Sequence, residues 1–207
     1  ILDEAHKEVA PGVLGNIVIK LPLPPGCLPT MWNADAEYEK WYLQTYPGYY
    51  RTADAGIKDA DGYLWVMSRT DDIINVSGHR LSTGDMEGVL ASHPDVAECA
   101  VIGVADALKG EVPLGFVVLK SGVNRDHRVI VDELIRAVRD RIGPVASFKI
   151  AAVVQRLPKT RSGKIVRGTM KKIADGSAYT VPPTIDDPAT LDEIAGSLGV
   201  LGYPHPG

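Results

Sequence analysis

Hairpin and loop signals fill the first 70 residues, and alternating strand and helix signals fill the rest. The sequence therefore predicts a mixed α+β fold whose organisation changes near Asp71. Two observations carry this. Asp61-Gly62 stands between apolar-bearing runs, and both residue types tolerate positive φ, so the flanking segments read as a hairpin. Val131, Leu134, Ile135, Val138 and Ile142 recur at helical spacing and give one helix with a single apolar stripe.

In chain order, 1–12 is polar and turn-rich, and Leu14 to Leu21 reads as a strand from its β-branched content. Leu21 to Pro29 holds four prolines and a glycine and must be a loop. From Ala34 to Gln44 a short helix is expected, with Tyr38, Trp41 and Tyr42 on one core-facing side. Tyr49 to Thr52 leads into the hairpin, whose second strand runs from Tyr63 to Ser68. After Asp72 comes a short apolar-rich strand, ended by Ser77-Gly78-His79-Arg80. A helix starts at Ser82 or Thr83, where Ser82 and Asp85 make a weak capping box; Met86, Val89 and Leu90 form its buried face, and His93-Pro94 ends it. Strands follow at Val96 to Val104, with Cys99 as a small core residue, and at Pro113 to Leu119, separated by a loop at 108–112. Gly143-Pro144 closes the striped helix, an apolar run covers Ile150 to Val154, and Val166, Met170 and Ile173 suggest a closing helix. Residues 177–207 are rich in proline and acids and are expected to be peripheral, with one short helix from Ala189 to Leu198.

Of the 207 residues, 45% are hydrophobic and 23% charged, an ordinary globular balance. A formal net charge of -4 supplies no field to draw nucleic acid or an acidic membrane. There is no 18-residue apolar run and no visible export signal. Only Cys27 and Cys99 are present, which suggests no disulfide framework and a reducing, cytoplasmic home. The chain opens on Ile1, and its first methionine is Met31, so it reads as a piece of a longer protein.

The most informative stretch is Leu157 to Arg167, Leu-Pro-Lys-Thr-Arg-Ser-Gly-Lys-Ile-Val-Arg. Pro158 stops the preceding strand. Lys159, Arg161, Lys164 and Arg167 then fall within nine residues, together with two hydroxyls and Gly163. Such a loop is either a solvated basic turn or a clamp for phosphate or carboxylate, with Lys164 as a point charge on a long stem. It is not a Walker loop, which needs glycine where Pro158 stands and Ser or Thr where Ile165 stands.

A second stretch, Arg69-Thr-Asp-Asp-Ile-Ile-Asn-Val-Ser-Gly-His-Arg80, sets acids beside arginine, as a surface ion pair also does. In this order the two stretches resemble core motifs of the acyl-adenylating enzymes, the superfamily of acyl-CoA synthetases, luciferase and peptide-synthetase adenylation domains. The likeness extends from about Leu14 to Thr190 and is closest to the short-chain branch, the propionyl-CoA and acetyl-CoA synthetases. Leu-Pro-Leu-Pro-Pro-Gly at 21–26, Pro-Gly-Tyr-Tyr at 47–50, Ile-Gly-Pro-Val-Ala-Ser-Phe at 142–148 and Thr-Ile-Asp-Asp-Pro at 184–188 look propionyl-type.

The resemblance implies that 1–70 ends a large β-rich N-terminal domain, that 71–180 is a mobile C-terminal domain with a short sheet flanked by helices, and that 181–207 is a tail. Lys164 would be the catalytic lysine, reaching the acyl carboxylate and the α-phosphate of ATP. Asp54 and Arg69 would hold the ribose, Arg80 would contact phosphate, and Asp71 would be the hinge. For coenzyme A it implies Ser77, Gly78 and Arg139, and for Mg2+ it implies Ala91, His93 and Val96, partly through backbone carbonyls. Asp54 stands in Thr-Ala-Asp where Thr-Gly-Asp is commoner, a swap not expected to alter its role. The implied reaction joins propionate to CoA with ATP, through an acyl-adenylate; acetate is the alternative acid. The family's phosphate loop, adenine motif and acyl pocket are absent from these residues, which alone are expected to make no acyl-adenylate. A reading of another class is a binding module regulated at Lys164 by a lysine acetyltransferase and deacetylase, since acetylation removes the charge.

Overall fold

Backbone hydrogen bonds sort the chain into two separate sheets, one of three strands and one of five. The computed structural model describes residues 1–204, and these divide into two units, Ile1–Asp71 and a second that begins at Asp72.

In the first unit β1 (Gly15–Lys20), β2 (Tyr49–Lys58) and β3 (Leu64–Arg69) run antiparallel in that order. At the hairpin between β2 and β3, the Asp59 carboxylate accepts from the Asp61 and Tyr63 amides at 3.0 and 2.9 Å, and Gly62 takes a φ of +89°. The expected helix at 34–44 is different in kind. α1 (Asp35–Tyr38) passes into a π turn at Glu39–Leu43, closed by the Gln44 amide donating to Glu39 O at 3.0 Å. The wider turn rotates later side chains off their α-helical positions. Tyr38 is buried and Tyr42 stacks on Tyr50 at 5.2 Å, but Trp41 is 56% exposed, so the expected core role fails there.

One irregularity in this sheet places a candidate site residue. β1 and β2 pair Asn16 with Ala55 and Val18 with Arg51, so Ile17 faces three residues, Thr52, Ala53 and Asp54. The bulge is held from inside. Thr52 Oγ1 donates to Ile17 O at 2.7 Å and accepts from the Asp54 amide at 3.1 Å, while Thr70 Oγ1 donates to Ala53 O at 3.3 Å. Ala53 sits at φ +63°, a left-handed conformation in which its Cβ is crowded. Glycine at that position carries no such strain.

The second unit begins with a hairpin where the sequence predicts a strand end. β4 (Ile73–Val76) and β5 (His79–Ser82) pair antiparallel across Ser77-Gly78, whose φ values of +51° and +87° make a two-residue turn. α2 (Thr83–Ala91) follows directly, with Ser82 Oγ accepting from the Asp85 amide at 3.4 Å. β6 (Val96–Asp106) and β7 (Gly110–Leu119) form a long antiparallel pair, so the loop expected at 108–112 is only a tight turn. Asp106 Oδ1 accepts there from the Leu108 and Lys109 amides. α3 (His127–Arg141), β8 (Ile150–Val153), α4 (Arg167–Ala174) and α5 (Ala189–Val200) complete the unit. The sheet order is β5-β4-β7-β6, with β8 parallel to β7.

Both faces of this sheet are covered, which is why its long strands read as nearly continuous apolar runs. Val101 and Val117 point to the face packed by Met86, Leu90, Ile130, Leu134 and Val138 of α2 and α3. Ala100, Ile102, Val104, Leu114 and Phe116 point to the other, packed by Met170, Ile194 and Leu198 of α4 and α5. On the first face Gly115 makes room for Phe148, since a Cβ built there would lie 2.6 Å from Phe148 Cζ. The tail expected to be peripheral is therefore core. Leu191, Ile194 and Leu198 are at most 2% exposed, and burial of each side chain contributes roughly 1.5–3 kcal/mol before entropy is counted. The last three positions of the expected 181–207 tail lie outside the described residues.

Glu87 closes the open edge of β6. Its carboxylate accepts the outward-facing Val101 amide at 2.8 Å and takes Arg167 in a two-point fork, both contacts 2.8 Å. The two side chains are 17% and 25% exposed, so the pair is largely out of water. Beneath it, burial foremost and then the Glu87 carboxylate push the Cys99 thiol up to about 11.

Three outcomes are expected. Ala53→Gly should stabilise the first unit by about 0.5–1 kcal/mol, read as a higher urea midpoint by tryptophan emission, because all three tryptophans lie in that unit; an unchanged or lower midpoint would deny the strain. Glu87→Ala should destabilise the second unit by about 3 kcal/mol in urea followed by circular dichroism, since it leaves Arg167 and the Val101 amide unpartnered. A loss no larger than that of an exposed pair would contradict this. At about pH 7.5 iodoacetamide should alkylate exposed Cys27 and spare Cys99, which reacts only as the pH climbs toward 11 and the thiolate forms. Equal labelling of both, read by mass spectrometry, would show the β6 edge to be open.

Candidate functional site

In the first unit the bulge and the end of β3 bring three predicted residues together. Asp54 and Arg69 are direct cross-strand partners, with Arg69 Nη1 3.2 Å from Asp54 Oδ1. Arg69 Nε lies 3.8 Å from Asp71 Oδ1. The Arg69 side chain is 56% exposed and that of Asp71 is 75% exposed, so a polar ligand can compete for these groups. Thr52 and Thr70, which hold the bulge, were not singled out from the sequence. Hydroxyls of this kind show their role only once the strands are in register. Asp71 is the last residue of its unit.

Ser77 and Gly78 are exposed at the tip of the β4–β5 hairpin. Asn75 Oδ1 accepts the Gly78 amide at 2.9 Å, and Lys109 O accepts the Ser77 amide at 2.9 Å. A Cβ built on Gly78 would meet no atom within 4 Å, so the space beside that backbone is open. Arg80, opposite Asn75 on β5, is half-buried. Behind the turn Asn75 is held a second time, its amide donating to Glu111 Oε2 at 3.1 Å, and Glu111 in turn pairs with Lys171 of α4.

Lys109 also leads to the predicted Arg139. It bonds Ser147 Oγ and lines, with Ile135, Arg139, Phe148 and Lys149, a cavity of about 240 Å³. Among the described residues three cations and no carboxylate line this hollow, which makes it a place for an anion. Lys109 and Lys149 were missed because they are distant from Arg139 in sequence, and only the fold sets them on one wall.

The Lys164 loop is a hairpin in miniature. Lys159 bridges to Ile165, the Thr160 amide donates to Lys164 O at 2.8 Å, and the Lys164 amide donates to Thr160 Oγ1 at 3.1 Å. Gly163 turns it at φ +82°. Its four cations divide between paired and exposed. Lys159 pairs with Glu98 of β6 at 2.6 Å and Arg167 with Glu87 of α2, because each falls beside a carboxylate at the β6 edge. Arg161 and Lys164 are exposed, and neither makes an ion pair among the described residues.

Of the predicted magnesium positions, Ala91 is exposed at the end of α2, Val96 is buried at the start of β6, and His93 lies in the turn between them. The His93 ring is already committed. Its Nδ1 accepts the Asp95 amide at 3.2 Å, leaving Nε2 to donate to Glu133 Oε2 at 3.0 Å. Glu133 is held below the usual carboxylate range by hydrogen bonding from Arg125 first and then from His93. Main-chain carbonyl oxygen at the negative end of α2 is a fitting donor type for a hard cation such as magnesium.

Residues 85–164 match the AMP-binding enzyme C-terminal domain, and the match ends on Lys164. Over 194 residues the chain is 49% identical to acyl-CoA synthetase short-chain family member 3, mitochondrial, of Mus musculus, covering 94% of this chain and 28% of that protein. It is 45% identical over 193 residues to acetyl-coenzyme A synthetase of Pyrobaculum arsenaticum, covering 93% and 28%. The solved acetoacetyl-CoA synthetase from Streptomyces lividans shares the fold with a TM-score of 0.82 at 22% identity, over 97% of this chain and 30% of that one. The chain thus spans less than a third of the length of these relatives. Residues 85–164 thus match the AMP-binding enzyme C-terminal domain, and nearly the whole chain is similar to the C-terminal part of short-chain acyl-CoA synthetases.

Proposed function

We propose that this chain is the C-terminal portion of an ATP-dependent short-chain acyl-CoA synthetase that converts propionate, ATP and CoA to propionyl-CoA, AMP and diphosphate. The observation that carries the reading is Lys164, an exposed ammonium group with no ion pair among the described residues, on a loop whose backbone is fixed.

In the first half of the reaction a carboxylate oxygen attacks the α-phosphorus and pyrophosphate leaves. Two anions must approach each other, and the Lys164 ammonium between them offsets the repulsion and stabilises the charge-rich transition state. Asp54 accepts hydrogen bonds from the ribose hydroxyls, Arg69 braces it, and Arg80 contacts phosphate. Rotation about Asp71 then withdraws Lys164 and presents the Ser77-Gly78 turn. The CoA thiol attacks the acyl carbonyl and AMP leaves. Open space beside Gly78 suits a thin pantetheine arm, and the cavity of Arg139, Lys109 and Lys149 suits the CoA 3′-phosphate. Magnesium, held through main-chain oxygens at Ala91, His93 and Val96, would neutralise part of the negative charge. Acetate remains the second acid, because one methylene in a pocket changes binding by only about 1–3 kcal/mol. The exposed Lys164 amine is also open to an acetyltransferase, whose product would lack the charge adenylation uses.

In the full-length synthetase Lys164→Ala should lower adenylation, read as ATP–pyrophosphate exchange, by about a hundredfold or more, while thioester formation from supplied acyl-adenylate survives. Equal loss of both halves would remove Lys164 from the role given to it.

A further inference from the structure

The tail that packs onto the second unit does more than fill its core, because it also runs along the back of the Lys164 loop. Thr160 bridges to Ile185, the Arg161 amide donates to Thr184 O at 2.9 Å, and the Asp186 amide donates to Lys159 O at 2.8 Å. Residues 158–161 are thus the middle of three short extended segments. On one side they carry 164–166, through the Thr160–Lys164 and Val166–Pro158 hydrogen bonds. On the other they are held by 184–186.

That outer segment is tied down at both ends. Ile185 is 4% exposed, and beyond it Leu191, Ile194 and Leu198 are buried in the core. Asp187 lies two residues before α5, its Oδ1 accepting the Ala189 amide at 3.0 Å, and its other oxygen takes Arg156 Nη1 at 2.6 Å. Arg156, two residues before Pro158, also forks onto Glu193 with Nη2 2.6 Å and Nε 3.1 Å from Oε1. The guanidinium therefore clasps the strand entering the loop to the segment that backs it. Exposed ion pairs contribute little to stability, and this one is exposed. A fork of fixed geometry is suited to setting position instead.

We propose that residues 184–194 are a positioning strap for the Lys164 loop, with Arg156, Asp187 and Glu193 as its clasp. The strap holds Thr160, and Thr160 holds Lys164 through its amide and its hydroxyl. Lys164 is thereby presented from a rigid backbone, which matters because a misplacement of about 1 Å can lower a rate about a hundredfold. None of the three clasp residues touches substrate in this scheme. The inference rests on the adenylation role proposed for Lys164.

The test is Asp187→Asn combined with Glu193→Gln in the full-length synthetase, which removes both charges at nearly constant volume and keeps a side-chain oxygen to accept the Ala189 amide. ATP–pyrophosphate exchange should fall roughly tenfold to a hundredfold in kcat, with KM for ATP and thioester formation from supplied acyl-adenylate each changed by no more than about twofold. Arg156→Lys, which keeps the charge without the fork, should fall between wild type and the double variant. In the same double variant the Thr160 and Lys164 amides should exchange faster with solvent while those of β6 do not, showing a loosened loop on an intact unit. Equal loss in both half-reactions, or no loss in either, overturns the strap. Lys164→Ala separates the two ideas. If that variant still exchanges, the role of Lys164 falls and the strap with it; if it is dead and the double variant behaves as wild type, only the strap falls.

Discussion

The outer edge of β6 is the place on which the second unit's candidate chemistry depends. The Val101 amide points off the sheet there, and an unpaired strand edge is an exposed row of hydrogen-bonding groups. Glu87 reaches from α2 to accept that amide and binds Arg167 at the start of α4. Edge and loop are closed by one carboxylate, so the segment carrying Lys164 is anchored at its downstream end to the sheet. At its upstream end Arg156 provides the second anchor. Between the two, Lys164 is held by its backbone while its side chain is left exposed.

Charge in this loop therefore divides by function rather than adding up. Lys159 and Arg167 spend their charge on Glu98 and Glu87, where it orders the fold. Lys164 has no such partner among the described residues, so its charge is available to a ligand. A similar contrast holds elsewhere. Glu133, Asp95 and Arg125 form a closed network around His93, which locks the ring. The cavity beside Arg139 has three cations and no acid among the described residues. Networks that satisfy themselves support structure, and clusters of one sign wait for an anion.

Much of the fold was legible because its signals are local. The stripe from Val131 to Ile142, the Asp61-Gly62 turn and the Ser82 cap depend on residues a few positions apart, and α3, the β2–β3 hairpin and α2 follow from them. Trp41 was misplaced because a π turn shifts side chains without changing composition. The β4–β5 hairpin was missed because Ser77-Gly78 reads as a strand end unless both residues take positive φ. The tail was read as peripheral from its prolines and acids, although Leu191, Ile194 and Leu198 already carried a helical stripe.

The sequence by itself determined which residues can carry chemistry: one lysine after a glycine turn, an arginine among acids, a serine–glycine pair, an arginine near the end of a helix. Those identities and spacings are properties of the chain, and no folding is needed to see them. Only the tertiary structure decided which charges remain free, since pairing depends on residues up to 80 positions away, as Glu87 and Arg167 are. It alone also set Lys109 and Lys149 beside Arg139 and laid residues 184–186 against the Lys164 loop. Charge interactions fall off with distance in space rather than in sequence, and that distance exists only once the two faces of the sheet are packed.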